Sequence, residues 1–128
     1  MIYKHETKHS IGEIKEQMTS KAKEYGFGVL KEYNFKDLLH EKGFPIERDI
    51  TVFELCNPSG AQAILGLHPE VSIFLPCRIS IYDDNNGQTV ISTIGMEDIV
   101  HNFNLEETLK SHMTGLFSKL QALINSWE

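Results

Sequence analysis

Cys56 and Cys77 are the only two cysteines in this 128-residue chain, and thiols are the side chains best suited to nucleophilic attack, redox exchange or metal binding. Their settings differ. Cys56 directly precedes Asn57-Pro58, a helix start in which unpaired backbone N–H groups and the helix dipole favour a thiolate. Cys77 shares the apolar parity of an alternating segment with Leu75 and Ile79, and burial there raises a thiol pKa and makes it inert. If the segments 50–56 and 71–82 are joined through the helix between them, the unit is a right-handed crossover with parallel strands. Pairing Ile50 with Val71 then sets Cys56 level with Cys77. On adjoining strands ~4.8 Å apart, the two sulfurs come within reach of a disulfide, a shared metal or a joint thiol site. The plainer reading makes both cysteines small buried hydrophobes, since free Cys is among the most buried residue types.

The turn Asn57-Pro58-Ser59-Gly60 offers a second chemistry. A helix N-terminus presents backbone donors to a phosphate or carboxylate, and Arg78 on the adjoining strand would add charge. The competing reading of Asn57, Ser59 and Gly60 is plain helix capping. Zinc would want four ligands, and neither Cys-x-x-Cys nor His-Glu-x-x-His spacing occurs, so no metal and no cofactor is expected. His5, His9, His40, His68, His101 and His112 are scattered. Of these His68 draws the eye, because it follows the helix that Cys56 precedes, but it falls at the far end. Gly26-x-Gly28 lacks the third glycine of a dinucleotide loop, and no Gly-x-Ser-x-Gly or phosphate-loop lysine is present. Asp83-Asp84-Asn85-Asn86 lacks the spacing and terminal Glu of a calcium loop.

The elements that must position these residues follow from periodicity. Residues 2–8 alternate as a strand, and Ser10-Ile11-Gly12-Glu13 is a capping box opening a helix with Ile11, Ile14, Met18, Ala22 and Tyr25 on one stripe. Gly26 ends it. Phe27–Tyr33 reads as a strand, Asn34 caps a short helix over 35–42, and Asp49–Leu55 is a third strand. Ser59–Leu67 is helical, and strict alternation from Val71 to Ile81 predicts the fourth strand. A hairpin turn at Asn86-Gly87 leads to Gln88–Ile94. A loop through 95–103 and a cap at Asn104 lead to a long helix carrying Leu105, Leu109, Met113, Leu116, Leu120, Leu123 and Trp127. At 1.5 Å per residue this helix would be ~34 Å long, which predicts a homodimer covering part of its stripe. The order β-α-β-α-β-α-β-β-α gives one α+β domain over 1–128, with a mixed sheet and a C-terminal antiparallel hairpin.

Composition bounds the function. The net charge of −6, spread along the chain, argues against nucleic acid, whose binding depends on clustered Lys and Arg. No apolar run approaches the ~18–20 residues of a membrane span, and the start lacks a signal peptide's apolar stretch. A cytosolic protein with two free thiols is expected. Gly26-Phe27-Gly28-Val29-Leu30, Cys56-Asn57-Pro58 with Ala61, and Leu75-Pro76-Cys77 with Ile81-Tyr82 together resemble the domain-of-unknown-function family 302, over roughly residues 3 to 95. The resemblance implies a compact α+β fold, a bacterial or archaeal cytosolic setting and homodimers, and carries no established activity. Asn34 stands where the pattern usually has Asp, and Glu54 and Ser72 where Gly is common. The function expected is a homodimeric binding or interaction domain holding a small ligand or anion near Cys56 and Cys77. The alternative is a thiol enzyme or redox carrier with Cys56 as nucleophile and Cys77 as resolving partner.

Overall fold

Ser10 caps the first helix as its pattern predicts, its hydroxyl accepting from the Glu13 N–H at 3.1 Å. The Glu13 carboxylate meets His9 Nδ1 at 2.8 Å, so the side chain that would complete a capping box pairs with the histidine just before the helix. The computed structural model describes the backbone of residues 1–128 and all side chains but those at 96, 98 and 99. The order is β1 (Ile2–Thr7), α1 (Ile11–Glu24), β2 (Gly28–Asn34), α2 (Phe35–Glu41), β3 (Ile50–Cys56), α3 (Pro58–Leu65), β4 (Cys77–Asp83), β5 (Thr89–Ile94), α4 (Met96–Asn102) and α5 (Glu107–Asn125). A 3-10 turn, Pro69–Ile73, lies between α3 and β4. The α+β class is as predicted, while α4 occupies the stretch read as a loop.

The sheet order is β1-β5-β4-β3-β2, and every pairing is antiparallel. The mixed sheet and its parallel crossover are therefore corrected. The error lies at Val71, Ile73 and Leu75, whose alternation imitates a strand although Pro69–Ile73 winds into the 3-10 turn. The chain reverses across that turn, so β4 starts at Cys77 and runs back along β3, pairing Leu55 with Cys77 and Ile50 with Tyr82. In an antiparallel pair the last residue of one strand lies beside the first of the next. Cys56 and Cys77, which flank the helical excursion, are brought to one end of the sheet for that reason.

One sheet face carries the core. Phe53, Leu55, Ile79, Ile81 and Ile91 pack against Ile14, Met18 and Ala22 of α1 and Leu120, Leu123 and Ile124 of α5, with Trp127. A second cluster joins Ile64 and Val71 to Leu105, Leu109 and Met113. The stripe of α5 thus runs across both clusters, and all its members are buried except the half-buried Leu116. The helix is shorter than predicted, its 19 residues spanning about 28 Å, because it starts after Glu106 rather than after Asn104 and ends at Asn125, short of Trp127. With its apolar face covered inside one chain, the stripe gives no reason for a dimer contact. No helix among the described residues is long and apolar enough to cross a membrane.

The hairpin turn is wider than a two-residue connection. Positive φ falls at Asn85 (68°) and Gly87 (84°), and the Asp84 N–H donates to the Gln88 carbonyl at 3.0 Å. The Asp84 carboxylate accepts from the Asn86 and Gln88 N–H groups at 2.8 and 3.1 Å. These acidic residues shape the turn.

Candidate functional site

Asn57 organises the end of the sheet where the cysteines meet. Its Oδ1 accepts from the Gly60 N–H at 2.8 Å and from the Ser59 hydroxyl at 3.0 Å, capping α3. Its Nδ2 donates to the Gly26 carbonyl at 2.8 Å, tying the start of α3 to the turn that closes α1. Gly26 adopts φ +88°, a conformation L side chains rarely adopt, and a Cβ there would stand 3.4 Å from Asn57 Nδ2. Gly28 pairs with Cys56 across β2 and β3, and Leu55 with Cys77 across β3 and β4. The peptide Leu75–Pro76 leading into Cys77 is cis.

Beneath the start of α3 these segments enclose a small recess of about 40 Å³. Cys56, Cys77 and Met113 line it, with apolar walls from Phe27, Ile64, Leu116 and others. Gly60 lets α3 approach α5: a Cβ there would overlap Leu116 Cδ1 and stand 3.0 Å from Asn57 Oδ1 and 3.3 Å from His112 Nε2. Both cysteines are half-buried and neither is in a disulfide. Burial first, and the nearby charge of Cys56 second, push the Cys77 thiol from an ordinary 9.0 up to about 11. The two thiols are thus close enough to influence each other electrostatically. Cys77 also borders a larger groove shared with Ile73, Phe74, Thr93 and Ile94, which gives it a second exposed side.

The other predicted residues fall elsewhere. Arg78 follows Cys77 on β4 and points to the opposite face of the sheet, since neighbouring strand residues alternate. There its Nε lies 3.7 Å from the Glu54 carboxylate and its guanidinium 5.8 Å from the Tyr33 ring. Tyr33 donates to the same carboxylate at 3.0 Å. The donors an anion would use at Ser59 and Gly60 are engaged by Asn57, so this turn has the geometry of a cap. His68 bridges elements away from the recess, meeting Glu106 at 2.8 Å and Glu70 at 3.3 Å. Donating to the Glu106 carboxylate raises its pKa, and the same bond lowers that of Glu106. Sequence reasoning passed over Met113 and His112, which reach the site only because α5 docks against α3. A methionine within an apolar stripe carries no mark of that position.

The sequence model of a domain of unknown function, DUF302, matches residues 3–127. The chain belongs to the DUF302 family. Its fold closely resembles a crystal structure of an uncharacterized conserved DUF302 protein from Bacillus stearothermophilus, at 28% identity and a TM-score of 0.88, covering 99% of this chain and 98% of the other. An uncharacterized protein of Aquifex aeolicus (strain VF5) is 35% identical over 54 residues, 42% of this chain. That match spans only 38% of the relative's length. Within this DUF302 chain the Gly-Phe-Gly, Cys-Asn-Pro and Leu-Pro-Cys segments converge on one place, the recess and its rim. Glu54, a departure from the common pattern, faces Arg78 in register on β4, so its charge has a partner.

Proposed function

We propose that this DUF302 chain is a binding domain whose working part is the recess beneath the start of α3, and that it takes a ligand of only a few atoms with affinity for thiols and apolar surface. The observation that carries the reading is that Cys56 and Cys77 line the same recess. Size narrows the ligand: about 40 Å³ falls far below the ~150 Å³ of an apolar cavity that accepts benzene. The apolar walls and the engaged cap at Asn57 speak against a free anion. In a reducing cytosol both thiols stay unpaired and available. A thiol enzyme is the weaker reading, because burial holds Cys77 protonated and, among the described residues, no histidine or carboxylate is hydrogen-bonded to either thiol.

The test is a thermal-shift screen of small apolar and thiophilic compounds on the intact chain, compared with Ala61→Leu, which fills the recess. A ligand that binds only the folded state raises the midpoint, by an amount corresponding to about 2.7 kcal/mol at a hundredfold excess over Kd. We expect at least one compound to raise the wild-type midpoint and to lose that effect in Ala61→Leu. A screen without any shift, or a shift that survives the substitution, overturns the reading.

A further inference from the structure

Resting on the recess as a binding site, we infer that its ligand is a single soft monovalent metal ion, Cu(I), held by the sulfurs of Cys56, Cys77 and Met113. These are the three sulfur-bearing side chains that line the recess. Thiolate and thioether ligands select Cu(I) over the harder divalent ions, which want imidazole or carboxylate. Structural zinc needs four ligands, and among the described residues no group of three or more His, Cys, Asp or Glu is placed to hold a metal. Two- or three-coordinate Cu(I) needs no such group. A bare ion also suits a recess of about 40 Å³, which leaves little room for an organic molecule.

Binding exchanges protons for metal: one Cu(I) and two neutral thiols give a bis-thiolate complex of charge −1 and two released protons, with no change in oxidation state. The apolar walls around Leu116 and Phe27 then keep water from the bound ion. The groove that reaches Cys77 beside Ile73 and Thr93 supplies a route along which a donor thiol could hand the ion over.

Anaerobic competition of the full chain against a chromophoric Cu(I) chelator tests the inference. One Cu(I) per chain should be withdrawn, with tighter binding at higher pH, as release of two protons requires. Cys56→Ser should weaken binding by about a hundredfold or more, and Met113→Leu, which keeps the volume, by roughly tenfold. Cys77→Ser risks the fold, so X-ray absorption at the copper edge of the wild-type complex provides the independent measure, with sulfur-only coordination expected. Failure to withdraw copper, nitrogen or oxygen ligands, or undiminished binding in Cys56→Ser overturns the inference. If small apolar probes still shift the midpoint and Ala61→Leu abolishes that shift, the binding recess stands and only the metal falls. If neither probe nor copper binds, both readings fall together.

Discussion

Cys77 should alkylate slowly in the folded protein, and the structure fixes by how much. Its thiol is pushed from an ordinary 9.0 to about 11, first by burial and then by the charge of Cys56. A shift of that size leaves about a hundredfold less thiolate at pH 7 than in the unfolded chain. The more basic thiolate is a better nucleophile, which returns roughly six- to tenfold at a Brønsted coefficient of ~0.4–0.5. The net expectation is a rate roughly 10- to 16-fold below that of the same cysteine in denaturant, before any steric obstruction. Quenched iodoacetamide labelling, read by mass spectrometry on the Cys77 peptide in buffer and in urea, measures it. Native labelling should keep climbing toward pH 11 where the denatured chain flattens near 9. A native plateau near pH 9, or equal rates in the two states, would refute the burial argument. The sign for stability follows from the same shift. A pKa raised by folding stabilises below the unfolded value of 9.0, and that stability is lost as pH climbs from 9 to about 11.

Three further substitutions test the surrounding structure. Gly60→Ala places a Cβ against Leu116 and the Asn57 cap, so overpacking of ~1–3 kcal/mol should exceed the ~1 kcal/mol gained in helix propensity; a urea midpoint above that of the wild type would show that Leu116 yields freely. Thr51 is fully buried with an unpartnered hydroxyl, and Thr51→Val should raise stability by about 1 kcal/mol, with a lowered thermal midpoint counting against it. His68, its pKa raised by Glu106, clasps the end of the α3 region to the start of α5. His68→Gln should therefore remove a pH dependence seen in the wild type. That stabilisation is present below the ordinary His pKa of 6.5 and lost as pH rises through the raised value. On the acid side it fades as pH falls below the ordinary Glu value of 4.5 and through the lowered Glu106 value. Amide exchange in the first turn of α5 measures the clasp, and identical pH profiles for the two proteins would dismiss it.

Much of the chain could be read directly. Ser10, Asn34 and Asn57 each cap the helix they were expected to cap, because a cap is a contact among residues only three apart and its chemistry is written locally. The stripe of α1 and the strands at 50–56 and 89–94 were legible for the same reason. Alternation failed at Val71, Ile73 and Leu75, where a 3-10 turn that buries Val71 and leaves Ile73 exposed carries the same apolar spacing as a strand. The cysteines were expected to be neighbours through a parallel crossover, and they approach through an antiparallel return. Arg78 was assigned to the turn at Ser59, but its strand parity turns it toward Glu54.

By itself, then, the sequence determined the α+β class, the starts of the first three helices, the core stripes and the two thiols of the candidate site, since these depend on residue type and short-range spacing. The tertiary structure alone decided strand direction, the closeness of α5 to α3, and hence the presence of Met113 beside the cysteines and of His112 beside Gly60. Those features arise from contacts between residues distant along the chain, where a single reversal of direction after α3 redirects every side chain that follows.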